Sequence, residues 1–258
     1  MIEKAVNAPA PTRTPAPVDV GPSRWQMPDP REISSNDPDA DLVAVGADLE
    51  PSTLVHAYRH GLFPWPHGRR QLPWFSPNPR GILPPERLRV SKSLRQTLRR
   101  SGWTSTVNGA FPDVIAACSR RPDGDGTWIT PPMRRAYLRL HDLGYVHSVE
   151  IWENTELVGG LYGFLVGGVF TGESMFHRRA DASKVAMIEL AHRLIEARGS
   201  LIDVQLLTDH LESLGAIAIS RSLFLELLTE LRDDCVRLTC DRLPVSRLVG
   251  VQIEMSAH

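Results

Sequence analysis

"GGLYGFLVGGVFTGESMF", residues 159–176, is the stretch on which the reading of the fold turns. Two apolar runs flank Gly167 and Gly168, a pair that tolerates the positive φ angles of a tight turn, so the stretch predicts a hairpin of two antiparallel strands. Six of its eighteen residues are glycine. Glycine weakens a strand unless the backbone bends there or something approaches it closely. With the Glu173 carboxylate two residues from the Met175 thioether, the pattern leaves open what approaches the backbone.

Working outward, "YVHSVEIW" (145–152) reads as a further strand. It follows a helix that starts at Thr130-Pro131, presents Met133, Ala136, Tyr137 and Leu140 on one face, and closes at Gly144. Downstream, a helix from about Ser183 to Arg198 stops at Gly199 and leads into the strand "LIDVQLL" (201–207). Strands interleaved with helices predict a mixed α/β layer and leave the strand order open. Toward the N-terminus, an apolar run at 42–45 and a helix from Ser52 to His60, ended by Gly61, form a small unit. The proline-dense "PWFSPNPRGILPPERL" (73–88) reads as a connector. Residues 1–30 hold seven of the 21 prolines and read as a flexible tail.

No apolar run approaches the length of a membrane span and the N-terminus has no secretory pattern, so a cytoplasmic location is expected. Cys118, Cys235 and Cys240 lack metal-ligand spacing and read as reduced thiols. The net charge of −1 conceals an asymmetry: nine basic residues lie between Arg69 and Arg100, with Glu86 the one acid among them. Within that stretch "VSKSLRQTLRR" buries Leu94 and Leu98 and sets Lys92, Arg95 and Arg99 opposite, a stripe suited to phosphates or simply a solvated face.

In "LIDVQLL" strict alternation puts Asp203 and Gln205 on one face, turned either to a cavity or to solvent. By the same alternation Glu173 and Met175 share a face, so neighbouring strands could bring Glu173, Asp203 and Gln205 together. Trp74 and Trp128 fall in loops, where each either packs or offers a ring on which a base could stack for about 1–3 kcal/mol. The GxxxxGK[ST], GxSxG and HExxH patterns are absent. His141 and His147 read as structural, and His210 as a loop or helix-start residue.

These motifs resemble the leucyl/phenylalanyl-tRNA–protein transferase family. The matching stretches are "GLFPW", "PWFSPNPRGIL", "GTWITPPM", "AYLRLHDLGYVHSVEIW", "ELVGGLYG", "FTGESMF", "ASK" and "LIDVQLLTDHLESLGA", in family order over residues 41 to about 225. The resemblance implies an α/β (α+β) fold. Its acetyltransferase-like, GNAT-related mixed-sheet domain (86–245) follows a small N-terminal α/β domain with its connector (31–85); the tail at 1–30 and the end beyond about 235, with a C-terminal tail at 246–258, lie outside the resemblance. The pyrophosphate loop of the coenzyme A enzymes is missing, which argues against a coenzyme A-dependent N-acetyltransferase. A non-catalytic tRNA-binding module is the other alternative, and it leaves the three polar side chains without a purpose.

The implied reaction moves Leu or Phe, less often Met, from aminoacyl-tRNA to the N-terminal Arg or Lys of a protein, without cofactor or metal, by a monomer. The product is a degradation signal. The resemblance implies catalytic roles for Glu173, Asp203 and Gln205. It implies contact of Trp74 and Trp128 with the 3′-adenosine, and an aminoacyl side-chain pocket of Leu161, Phe170, Met175 and Ile202. Arg89, Lys92, Arg95, Arg99 and Arg100 are the expected phosphate contacts. Alternation places Phe170 and Met175 on opposite faces, so the strand is bulged or one assignment is wrong. Gln205 either positions the amine, with Asp203 orienting it or accepting from the ammonium, or abstracts a proton after polarisation by Asp203.

Overall fold

The computed structural model describes residues 10–33, 41–66, 71–120 and 127–250. In chain order, β1 (Leu42–Val45), α1 (Pro51–Arg59), β2 (Phe63–Pro64), β3 (Pro73–Phe75) and β4 (Arg80–Leu83) come first. The middle holds α2 (Lys92–Arg100), β5 (Thr104–Val107), α3 (Phe111–Cys118), α4 (Pro131–Asp142), β6 (Val146–Glu153), β7 (Glu156–Val166) and β8 (Val169–His177). Then follow α5 (Ala182–Glu196), β9 (Leu201–Gln205), α6 (Asp209–Ser213), β10 (Ile217–Ile219), α7 (Arg221–Leu231) and β11 (Leu243–Pro244). No helix among the described residues is long and apolar enough to cross a membrane.

The helices begin where the sequence supplies caps: Ser91, Thr130 and Ser220 each accept a backbone N–H of the first turn of α2, α4 and α7. The start of α3 has no such side chain on its own cap residue. The buried Glu150 carboxylate accepts the Gly109 and Ala110 N–H groups there.

A three-stranded sheet runs β1-β3-β2, and an eight-stranded sheet runs β10-β4-β9-β8-β7-β6-β5-β11. Every pairing is antiparallel except β8 with β9. Both faces of the large sheet are covered, which is why β7 is apolar along nearly its whole length. Leu161 and Leu165 join one core with α5, while Tyr162, Phe164 and Val166 join another with α1, α3 and α4.

Two features of the hairpin differ from the simple reading. Tyr162 pairs with Ser174 and Gly163 with Gly172, so Glu173 is the extra residue of a β-bulge. The bulge resets the alternation, and Phe170 and Met175 both pack on the α5 side. The glycines, in turn, mostly admit the protein itself. A Cβ at Gly159 would lie 2.5 Å from Ala182 Cβ, and one at Gly163 would lie 2.3 Å from Thr171 O and 2.4 Å from the Phe170 ring. Gly172 is different, for its nearest neighbour would be Asp203 O at 3.7 Å.

The expected segment boundaries also shift. Residues 10–30 are held against the body: Thr14 N donates to Leu238 O, Cys240 N to Thr12 O, and Val18 N to Leu143 O. Prolines keep this strap extended while the intervening residues supply the backbone donors that anchor it. Residues 1–9 of the expected tail lie outside the described residues. At the other end Val245–Gly250 forms a 3-10 helix packed on α2, with Val245 and Leu248 buried, and 251–258 lie outside the description. β4 pairs with β9 and β10, so it belongs to the large sheet and not to a connector.

Gly163→Ala should destabilise the protein by about 1–3 kcal/mol, because the new methyl group must displace the Phe170 ring or a strand carbonyl. Gly172→Ala, directly across the pair, should change stability far less. Urea unfolding of both variants checks the contrast, and equal losses would show that the crowding at Gly163 is not real.

Candidate active site

The parallel register of β8 and β9 runs Val169–Leu201, Phe170–Ile202 and Thr171–Asp203, and then stops. Beyond that point the two strands part. Ligands of open sheets bind where parallel strands end and diverge, and this split is bordered by Glu173 and Gln205.

Local chemistry explains the split. The Asp203 side chain accepts the backbone N–H of Gln205 at 2.9 Å, two residues on, which is the turn that aspartate makes with its own backbone. Gln205 takes a left-handed conformation with φ +63°, and β9 ends there. Such a conformation costs a non-glycine residue about 1–2 kcal/mol, so the surrounding bonds must hold it.

Asp203 is itself completely buried. Arg80 Nε and Nη2 donate to its two oxygens at 2.8 and 2.6 Å, and the Thr171 hydroxyl donates at 3.0 Å. Together with Gln205 N these four donors fill about all the lone pairs a carboxylate offers. Arg80 is held in turn, donating to Gly61 O at 3.2 Å with its guanidinium 5.0 Å from the Phe63 ring centroid and 4.3 Å from that of Phe224. Asp203 therefore has no oxygen left for an incoming ammonium, and it grips the backbone of Gln205, not its amide. That geometry disfavours polarisation of Gln205 by Asp203.

Across the split Gln205 Nε2 donates to Glu173 Oε1 at 3.1 Å. Gln205 also lines the cavity beside this bond. Tyr58 from α1 donates to Glu173 Oε1 at 2.7 Å and Tyr137 from α4 to Oε2 at 3.0 Å. Burial pushes the Glu173 carboxyl up to about 7 against the lowering effect of the two hydroxyls; the Asp203 charge raises it a little and that of Arg80 lowers it.

A cavity of about 160 Å³ opens beside these groups. Leu161, Phe170 and Met175 line it, joined by Met187 and Leu190 of α5 and Leu211 of α6. The last three were not distinguishable in the sequence from ordinary helical core positions. Ile202, expected in the pocket, is fully buried in the core instead and does not line the cavity. A larger cleft of about 530 Å³ lies between the strap and α1, bordered by none of Glu173, Asp203 and Gln205. Its Arg59 is already paired with Asp233 at 2.5 Å, so we place the chemistry at the smaller cavity.

The tryptophans separate. Trp74, expected in a loop, lies in β3 with no exposure and donates Nε1 to Gly46 O at 2.9 Å, so it has no face for a base. Trp128 remains half-buried before the start of α4, and the half-buried Trp65 packs edge-on to Phe75 at 5.8 Å. Arg89, Lys92, Arg95, Arg99 and Arg100 are all exposed, while Leu94 and Leu98 are buried. His210 is exposed on α6. Arg80, Tyr58 and Tyr137 were missed as site residues. For Arg80 a signal existed: a lone arginine opening the apolar "RGIL" and a lone aspartate inside "LIDV" are suited to each other as a buried pair. The tyrosines gave none, since Tyr137 fits the apolar face of its helix.

Family models described as leucyl/phenylalanyl-tRNA protein transferase and as the N-terminal domain of that protein match residues 82–229 and 47–78. A leucyl/phenylalanyl-tRNA–protein transferase of Shewanella oneidensis is 48% identical over 206 residues, 80% of this chain and 87% of the relative. The one from Shewanella pealeana is 48% identical over 198 residues, 76% and 84% of the two chains. Among solved structures, a GCN5-related N-acetyltransferase from Kribbella flavida aligns with a TM-score of 0.36 at 14% identity, covering 66% of this chain and 61% of that one, too weak a likeness to carry an argument.

Asp203→Asn leaves the buried Arg80 guanidinium without its counter-charge and should cost about 3–5 kcal/mol in urea unfolding. Adding Arg80→Met to it should recover a large part of that loss. A single Asn variant within about 0.5 kcal/mol of the parent, the range of ordinary surface changes, would mean that this pair does not hold the site together.

Proposed function

The chain belongs to the leucyl/phenylalanyl-tRNA–protein transferase family, and on that premise we propose that it moves Leu or Phe, and less readily Met, from aminoacyl-tRNA to the N-terminal Arg or Lys of acceptor proteins, marking them for degradation. The observation that carries this reading is the apolar cavity of about 160 Å³ with Gln205 and Glu173 hydrogen-bonded to each other at its rim.

The mechanism follows from what those groups can do. An aminoacyl ester is already an activated acyl donor, so no protein nucleophile is required. The aminoacyl side chain enters the cavity between Met175, Leu161 and Phe170, where thioethers of Met175 and Met187 adapt to a branched or an aromatic shape. The amide oxygen of Gln205 accepts from the amine and orients its lone pair toward the ester carbon. Arg80 and Asp203 act at one remove, fixing the Gln205 backbone. An α-amino group with a pKa near 8 is about 10% neutral at pH 7, so most of the acceleration comes from holding the reactants in line. The tRNA lies with its phosphates along Lys92, Arg95 and Arg99, and its terminal adenosine against Trp128.

Labelled Leu-tRNA mixed with a peptide that begins with Arg should yield labelled peptide, and a peptide beginning with Gly should not. Gln205→Ala should lower the single-turnover rate about 10- to 1,000-fold, the loss of one well-placed hydrogen-bonding group, with a constant ratio to the parent from pH 6 to 9. A ratio that closes as pH rises would mean that Gln205 takes part in proton abstraction. Lys92→Glu combined with Arg95→Glu and Arg99→Glu should weaken tRNA binding and reduce its salt slope by about 0.7–0.9 for each lost phosphate contact. An unchanged slope would remove that helix from the tRNA interface.

A further inference from the structure

Glu173, Tyr58 and Tyr137 make more contacts than two phenols and a carboxylate have protons for. Tyr58 Oη lies 2.7 Å from Glu173 Oε1, Tyr137 Oη lies 3.0 Å from Oε2, and the two phenol oxygens are 2.5 Å apart. These three contacts close a ring. Both phenols are buried and held neutral, their pKa values pushed well up by burial and then by the Glu173 charge. With Glu173 ionised the ring holds two protons for three contacts, and one contact sets lone pair against lone pair. A third proton on the carboxyl group completes it: Glu173 Oε2 donates to Tyr137, Tyr137 to Tyr58, and Tyr58 to Oε1. In that arrangement Oε1 is the carbonyl oxygen, the better acceptor of the two carboxyl oxygens, and it takes the additional bond from Gln205 Nε2 at 3.1 Å.

We propose that Glu173, Tyr58 and Tyr137 are the proton shuttle of the site, a closed ring that holds one transferable proton at the rim of the cavity. The proposal rests on the aminoacyl-transfer reading above. The amine nitrogen forms the new C–N bond with its lone pair, and the ester C–O bond breaks with its electron pair going to the ribose oxygen. That oxygen takes the carboxyl proton, the surplus proton on nitrogen passes to the carboxylate, and the ring ends with the three protons it began with. Glu173 is the catalytic residue; Tyr58 and Tyr137 are positioning residues that keep its proton in place.

The surroundings agree. The groups facing Glu173 are Tyr58 of α1, Tyr137 of α4, Tyr162 of β7, Asp203 and Gln205 of β9 and Arg80 of β4, with Cys118 of α3 next to Tyr162. Asp203 and Arg80 neutralise each other, so burial dominates and pushes the carboxyl up to about 7. An acid and base of that strength is close to optimal at neutral pH.

The test has two arms on the full chain. Carbon-13 NMR of protein labelled at the glutamate side-chain carboxyl, with the Glu173 resonance identified by its loss in Glu173→Gln, should give a midpoint near 7, against about 4.3 for exposed glutamates. Tyr137→Phe opens the ring and should shift that midpoint, and an unmoved midpoint would mean that the ring does not hold the proton. In single-turnover transfer, with rates divided by the neutral fraction of the amine, the parent should lose rate above pH 7. Tyr58→Phe and Tyr137→Phe should displace that falling limb and slow transfer about 10- to 100-fold at unchanged tRNA affinity. Transfer by a parent protein whose Glu173 titrates in the ordinary carboxylate range would overturn the shuttle alone, as would parent-like pH profiles in both phenylalanine variants. Absence of transfer to an Arg-initiated peptide by the parent would overturn the aminoacyl-transfer reading and the shuttle with it.

Discussion

Arg80 and Asp203 form an ion pair with 1% and 0% side-chain exposure. Removing two charges from water costs several kcal/mol each, and mutual attraction offsets that only when the geometry is good and every remaining lone pair and proton is used. Here the geometry is good and the acceptor positions of the carboxylate are filled. Two parallel donors from the guanidinium meet the two carboxylate oxygens, Thr171 and the Gln205 backbone take the other acceptor positions, and two aromatic rings flank the cation. The pair joins β4 to β9, β9 to β8 through Thr171, and the large sheet to the Gly61 carbonyl just beyond α1. A well-packed hydrophobic replacement can match its stability but cannot terminate β9 by binding the Gln205 N–H.

What depends on that interaction is the gap between β8 and β9. A continued parallel pairing past Thr171 and Asp203 would close the space now opened by the Glu173 bulge and the left-handed Gln205. The walls of the gap come from both sides of the sheet. On one side α5 supplies Met187 and Leu190 to the cavity, and on the other Tyr58 of α1 and Tyr137 of α4 hold the Glu173 carboxyl at its edge. The small N-terminal unit thus supplies one of the two hydroxyls bonded to Glu173. Around the buried Glu173 and Asp203 each hydrogen bond counts for more than it would in water.

The sequence carried the regular parts of this arrangement and little of the irregular ones. The hairpin at Gly167-Gly168, the capped helices and the buried faces of α2 and α4 follow periodicities that each residue obeys locally. The bulge at Glu173 does not, since it depends on which residues of β7 lie opposite, and alternation alone gave only the alternatives of a bulge or a wrong pocket assignment. Gln205 departs from alternation because Asp203 captures its N–H, a preference that aspartate expresses only where a strand is free to end. The glycines were legible as positions of close approach, but what approaches Gly163 is the Phe170 ring. Trp74 was read as a loop residue because the three-residue strand that holds it is too short to show a period. Tyr58 and Tyr137 are separated in sequence by 79 residues, and only the packing of α1 beside α4 brings their hydroxyls to one carboxylate.

A crystal structure of the protein with adenosine that carries leucine on its 3′ position through a non-hydrolysable amide tests the central claim, that the reaction takes place where β8 and β9 part. The account predicts the leucyl side chain between Met175, Leu161 and Phe170, with its α-carbonyl carbon beside the Gln205 amide and the Glu173 carboxyl at the same rim. Density for the ligand in the cleft between the strap and α1, with the cavity beside Glu173 left empty, would contradict it.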